Sequence, residues 1–323
     1  MNIELKKITD LNSKILERID KFILSQRTNG EFINTIKYLS YHPKDRFLDE
    51  SIVVLDKGSG EIKGVVMAVE NPVNSSHLIS HMGTTFSGPI LDYKYSINEN
   101  FKILDLILDH YESKFQKVEF RLRPTIYDFQ PMEFIDYYFQ KRNYEKGIMA
   151  LANVIELSRI KNIDTQFQTY DSKRRNQVKK VLNASLFKFY EEDHIPKTFW
   201  ENMNRNLKEK YGANTTHTYD EMQKLYSLCT PFIKVFCVKK ITGAYGALGI
   251  IYKFKNVFHT QYLDMNYNLS SEYPNLFLIH KLIQIAREQG YGYFSFGAST
   301  EDKGQYLNEG LYKYKEGYGG GSI

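Results

Sequence analysis

Residues 294–320 read FSFGASTEDKGQYLNEGLYKYKEGYGG: a β-prone run, a Gly-Ala-Ser-Thr-Glu loop, then a helix that ends in glycines. Gly297 and Ser299 let the backbone approach a ligand closely, and amides at a strand-to-helix turn bind anions. Ser299, Thr300 and Glu301 are the loop's candidate ligand contacts, with Glu301 also able to take a proton. Lys315, just ahead of the glycine cluster, can steady negative charge. It can equally cap the helix C-terminus, where a cation is favoured in any case.

Three further groups carry side chains suited to chemistry. In HTQYLDMN, strand alternation puts Thr260, Tyr262 and Asp264 on one face, where a Tyr or carboxylate in a partly dry cleft can accept a proton. Each also reads as an ordinary hydrogen-bonded Tyr or capping Asp. In VEFRLRP the same alternation puts Arg121 and Arg123 together at a strand end, as a phosphate or carboxylate fork or as surface salt bridges. The run Lys173, Arg174, Arg175, Lys179, Lys180 is mostly a solvated helix face, and Arg174 and Arg175 near its start are the candidate phosphate contacts.

Other chemistries are excluded. His77 and His81 sit four apart but in a stretch that reads as strand and loop, so no metal site is expected. Cys229 and Cys237 are too far apart for a Cys-x-x-Cys pair. Ser299 lies in no Gly-x-Ser-x-Gly elbow and near no histidine in sequence.

The elements that position these residues follow from periodicity. Residues 11–25 and 30–40 read as helices, and SIVVLDKGSGEIKGVVMAVE as a hairpin about a Gly-Ser-Gly turn. An amphipathic helix over 101–115, the strand KVEFRLR and a helix with Pro131 in its first turn follow, and IMALANVIEL closes the first half as a strand. The second half repeats this order: helices over 172–183 and 196–210, a strand–turn–strand from Phe232, the strand NVFHTQYLDMN, the helix NLFLIHKLIQIAREQG and the strand YGYFSFG. The blocks lie roughly 175 residues apart, the signature of an internally duplicated fold. The expected fold class is α/β with mixed α+β sheets, in two domains, 1–160 and 161–323, with a cleft between them. The polar stretch SRIKNIDTQFQTYDSK marks the boundary at 158–170.

Composition fits this picture. The 323 residues are 42% apolar and 25% charged, and the 25 Tyr and 21 Phe suit a sheet-rich interior. A net charge of +5 is compatible with phosphate-bearing ligands but too small to argue for a dedicated nucleic-acid binder, and no DNA partner is expected. The N-terminus does not read as a signal peptide and no stretch is long enough to cross a bilayer, so a cytoplasmic location is the expectation.

Phe296-Gly297 at a strand end, followed by Tyr314-Lys315-x-x-Tyr318-Gly319, resembles the C-terminal signature of the Fem family and its GNAT-like relatives. SYHPKDRFLDESIVVLD is similar to the opening strand of that family's first domain, GTTFSGPIL to its Gly-rich loop, and DSKRRNQVKKVLNASLFKFYE to the basic helix that opens its second domain. The resemblance implies two tandem GNAT-like domains and an N-acyltransferase. Such an enzyme passes an acyl or aminoacyl group to an amine of a peptidoglycan or other cell-envelope precursor or a nucleotide-linked sugar. Acyl-CoA or aminoacyl-tRNA would be the co-substrate, with no permanently bound cofactor. It also implies a charge-steadying role for Lys315, and ligand contacts at Arg46 and Tyr318. The long coiled-coil arm of some Fem members is absent, which weakens a tRNA-dependent reading. Arg287-x-x-Gly290-x-Gly292 fits the pattern with which ordinary GNAT enzymes grip a pyrophosphate, but it ends a helix and opens a strand, so its amides point the wrong way. A second reading is a catalytically silent double-GNAT module that binds an anionic ligand or RNA.

Overall fold

In the computed structural model, which describes residues 1–323 apart from the side chains of residues 210 and 211, the chain divides into two units, Met1–Glu145 and Lys146–Ile323. The first contains strands β1 (Ile3–Lys7), β2 (Ile52–Asp56), β3 (Ile62–Val66), β4 (Val69–Asn71), β5 (Asn74–Ser80), β6 (Ile90–Leu91) and β7 (Lys117–Phe120). Its helices are α1 (Ser13–Leu24), α2 (Ile36–Leu39), α3 (Ile97–Glu112) and α4 (Phe134–Lys141). The strands form an antiparallel sheet β1-β2-β3-β6 and a sheet β4-β5-β7 whose β5–β7 pair is parallel. A parallel pair needs a crossover, and α3 supplies it. Ser96 and Glu99 cap α3 reciprocally, and Ile103, Leu104, Ile107, Leu108 and Tyr111 bury its inner face against Ile52, Val54 and Leu91. Each such side chain contributes about 1.5–3 kcal/mol of burial.

The expected helix over 30–40 is instead a 3-10 turn, Phe32–Asn34, and the single turn α2. Buried polar side chains break it: Asn34 accepts from Glu31 N–H and donates to Phe86 O, and Thr35 caps α2. Pro131 stands ahead of α4 rather than in its first turn.

The second unit holds β8 (Ala152–Glu156), β9 (Phe187–Glu192), β10 (Ile233–Lys240), β11 (Tyr245–Lys253), β12 (Val257–Met265), β13 (Tyr293–Ala298), the small hairpin β14 (Thr300–Glu301) and β15 (Tyr306–Leu307), and β16 (Gly321–Ser322). Helices α5 (Ile163–Thr169), α6 (Ser172–Ala184), α7 (Lys197–Tyr211), α8 (Tyr219–Leu228), α9 (Pro274–Glu288) and α10 (Glu309–Glu316) complete it. Seven strands pair in the order β16-β8-β13-β12-β11-β10-β9, and only β12 and β13 run parallel. The crossover helix is α9, buried from Pro274 to Ala286 over the sheet. Strand, long helix and parallel strand thus recur in both units, β5–α3–β7 and β12–α9–β13.

The boundary differs from the sequence reading. It falls between Glu145 and Lys146, and β8 pairs with β13 and β16 of the second unit rather than closing the first. An apolar run such as ANVIE fits any sheet edge, and only its partners decide which. The polar stretch at 158–170 is no linker but contains α5, capped by Asn162 and Thr165. Among the described residues no helix is long and apolar enough to cross a membrane.

Candidate active site

The parallel pairing of β12 and β13 is short: Val257 to His259 against Tyr293 to Ser295. Beyond it β12 stays with β11, while β13 stays with β8, its other neighbour from Tyr293 on, through a register shift between Ser295 and Ala298. Polar side chains gather where the strands part. Ser295 Oγ accepts from Gly297 N–H at 3.1 Å and lies 3.2 Å from His259 Nδ1, and Thr260 Oγ1 donates to Ser295 O at 3.2 Å. Gly297 turns the chain with φ +70°, and a Cβ there would sit 3.3 Å from His259 Cε1. Both facts call for glycine.

Lys315 comes into this turn from α10. It is 6% exposed, and its Nζ donates to Ala298 O at 2.7 Å, Ser299 Oγ at 2.8 Å and Gly297 O at 3.1 Å. An ammonium has three N–H bonds, so all are used. No carboxylate pairs with it among the described residues. Burial lowers its pKa from 10.5 to about 8. Burial, with a smaller contribution from the Lys315 charge, lowers His259 to about 4, so that imidazole is neutral. The loop is pinned from its other side too: Ser299 N–H donates to Leu151 O and Asn308 N–H to Ser299 O, both at 2.8 Å.

The β12 face differs from strict alternation. Ile251 pairs with Thr260 but Ile250 with Tyr262, so Gln261 is an extra, bulged residue. Ile251, Ala247, Leu263 and Met265 pack into the core under α9, whereas Tyr262 and Asp264 turn to the opposite side. Thr260, opposite Ile251, therefore does not share their face. Tyr262 meets Trp200 of α7 edge-on, and its hydroxyl is 2.7 Å from His217 Nδ1. Burial raises its pKa to about 12. Asp264 accepts from Asn206 Nδ2 at 3.2 Å.

Other expected ligand contacts have structural partners. Tyr318 is fully buried among Tyr170, Phe296 and Tyr314, a core aromatic with no surface to offer a ligand. The Arg174 guanidinium lies 4.5 Å over both the Tyr314 and Tyr318 rings and donates to Tyr314 O at 3.0 Å. Arg174 also lines a groove of about 440 Å³ with Lys173, Lys313, Ser270 and Asn275, where the N-termini of α6 and α9 converge; Arg175 is not in its lining. Glu301 is exposed and accepts from Asn308 Nδ2 at 2.7 Å, and Thr300 Oγ1 accepts from Leu151 N–H at 3.4 Å.

Arg46, Arg121 and Arg123 belong to the first unit. β7 ends at Phe120, so the two arginines of VEFRLRP are not on one strand face. The chain leaves the strand there because Arg121 N–H bonds Ser80 Oγ and Arg121 O accepts from Ser87 N–H. Arg123 pairs with Asp128 in the interior, and Arg121 Nε donates to Glu119 at 3.2 Å. Arg46 is exposed, with NH1 3.3 Å from His42 Nδ1.

Sequence reasoning missed His259, Ser295 and Asn308. Pairing of FHT with FSF as neighbouring strands would have found the first two. The Arg287–Gly292 segment behaves as read: Gly290 follows the end of α9 with φ +79°, and its N–H bonds back to Arg287 O.

No protein-family model and no curated protein sequence matches the chain. Solved structures do. The chain is similar to the crystal structure of FemX, with TM-score 0.68 and 14% identity over 99% of this chain and 94% of that one. It is similar to L-PGS from Bacillus licheniformis, with TM-score 0.57 and 12% identity over 96% and 89%. A tandem GNAT protein from the clavulanic acid biosynthesis pathway gives TM-score 0.52 and 8% identity over 98% and 94%. The chain has a Fem-like tandem GNAT fold.

Proposed function

We propose that the chain is an N-acyltransferase that works where β12 and β13 part. The amine of a cell-envelope precursor or nucleotide-linked sugar attacks the carbonyl of an activated ester or thioester. The C–N bond forms, the C–O or C–S bond breaks, and the amine's proton leaves to a base. The fold it shares with FemX, L-PGS and a tandem GNAT protein supports this class of reaction.

The carrying observation is Lys315. A buried ammonium held by three oxygens, without a neutralising carboxylate, is a fixed positive charge in a water-poor place. Such a charge stabilises a developing oxyanion or a donor phosphate without reorganising during reaction. Since its N–H bonds are used, Lys315 acts as charge and as clamp on the turn that carries Ser299. Tyr262, with a pKa near 12, stays protonated at neutral pH, so a carboxylate, Asp264 or Glu301, takes the proton, directly or through water. Lys173, Arg174 and Lys313, with the α9 N-terminus, hold phosphates of the donor, either acyl-CoA or aminoacyl-tRNA, while the Asp171 carboxylate already caps α6 in the same groove.

The test is transfer of a labelled acyl or aminoacyl group from each donor to an amine panel, by wild type and K315A. Loss of transfer in a folded K315A variant supports the assignment; full turnover would sink it. The same basic groove favours one alternative, an anion- or RNA-binding module without catalysis. A steep salt dependence of RNA binding, with no transfer to any amine, would establish that instead.

A further inference from the structure

Strand β9 is the last in the seven-stranded sheet and pairs only with β10. The register decides which of its backbone groups are left over. Phe187 stands opposite Lys240, and the next pair outward is bonded through Ile241 N–H to Leu186 O. Bonding alternates along an antiparallel ladder, so Lys188, Tyr190 and Glu192 exchange bonds with β10. The N–H and C=O of Phe187, Phe189 and Glu191 point outward, and no partner meets them among the described residues.

The side chains along this edge are ordered as well. Phe187 and Phe189 turn to the core under α9. Lys188, Tyr190 and Glu192 take the other face; Lys188 and Tyr190 are exposed, and Lys239 holds Glu192 at 2.7 Å. Leu186 and Ile241 extend the edge with exposed apolar surface, 36% and 64% accessible.

We infer that β9 pairs with β9 of a second copy of this chain, antiparallel, about a two-fold axis at Tyr190. The outward groups of Phe189 and Glu191 then bond across the axis in both directions. Lys188 stands opposite the second copy's Glu192, and Glu192 opposite its Lys188. These are non-hydrogen-bonded positions, where side chains approach most closely. Only registers shifted by two residues keep both faces in place. An axis at Lys188 sets that lysine against itself, one at Glu191 sets that glutamate against itself, and one at Phe189 leaves Glu192 opposite Leu186. Charge complementarity selects Tyr190. A lysine on an open edge normally discourages strand addition. Here it turns away strands that offer no carboxylate while matching the strand's own sequence. This pairing is independent of the transfer chemistry proposed above.

Sedimentation velocity on the full chain from about 1 to about 200 µM tests it, a range suited to a small interface. The expected result is a reversible monomer–dimer equilibrium that weakens in high salt. E191P removes one outward N–H from an exposed position and leaves the β10 ladder intact, so it should be monomeric with unchanged circular dichroism. K188E and E192K each set like charges together at both contacts and should lower association about tenfold. Mixed one to one, they restore two opposite-charge pairs, and the heterodimer should return. A chain monomeric throughout, or a dimer that survives both E191P and K188E, overturns the inference.

Discussion

Lys315 Nζ sits 2.8 Å from Ser299 Oγ, a bond that ties the last helix of the second unit to the turn leaving β13. The same ammonium holds the carbonyls of Gly297 and Ala298, so one side chain sets both the shape of the turn and its charge.

Turnover should therefore follow the protonation of Lys315. Its pKa lies near 8, so transfer should be full at pH 7 and fall as pH rises through about 8. K315R, which keeps its charge over this range, should retain whatever activity its bulk allows but lose that alkaline limb. A pH–rate profile of both proteins checks this. The stability effect has the opposite sign: the lysine binds fewer protons folded than unfolded between about 8 and 10.5, so folding stability gains from this group as pH rises there.

G297A should cost about 1–3 kcal/mol, because alanine disfavours φ +70° and its methyl crowds His259. Urea unfolding measures the loss. A variant as stable as wild type would mean that the turn relaxes freely.

D264N should lower kcat by about a hundredfold with a small change in KM, the signature of a lost base. Y262F removes a hydroxyl that stays protonated at neutral pH and should lose much less. Equal losses would move the base to the Tyr262–His217 pair.

Acid should loosen the second unit through His280. Gln166 Nε2 and Tyr170 OH meet its Nδ1 in the interior, and burial lowers its pKa from 6.5 to about 4. The unfolded chain takes up this proton first, so stability is lost as pH falls from about 6.5 toward 4. H280Q should flatten the dependence of Tm on pH across that window, against a wild type that carries the same carboxylates. An unchanged slope would remove His280 from the account.

R174K should destabilise the chain by about 1–2 kcal/mol, since lysine keeps the charge but loses the stack on Tyr314 and Tyr318 and the bond to Tyr314 O. Thermal unfolding separates this bracing role from any effect on donor affinity.

The amino-acid sequence by itself determined what local chemistry decides. Ser96 and Glu99 start α3, Gly290 stops α9, Gly297 bends the end of β13, and the order of elements repeats. Each depends on residues a few positions apart, where capping, backbone freedom and periodicity act. Tertiary structure alone decided the rest. β8 joined the second unit because β13 and β16 offered it edges, and the bulge at Gln261 turned Tyr262 and Asp264 away from Thr260. Tyr318 and Lys315 lie three apart on one motif, yet the first is sealed in an aromatic core while the second reaches the loop oxygens. Burial and charge pairing depend on which distant segments arrive, and local residue types do not state that.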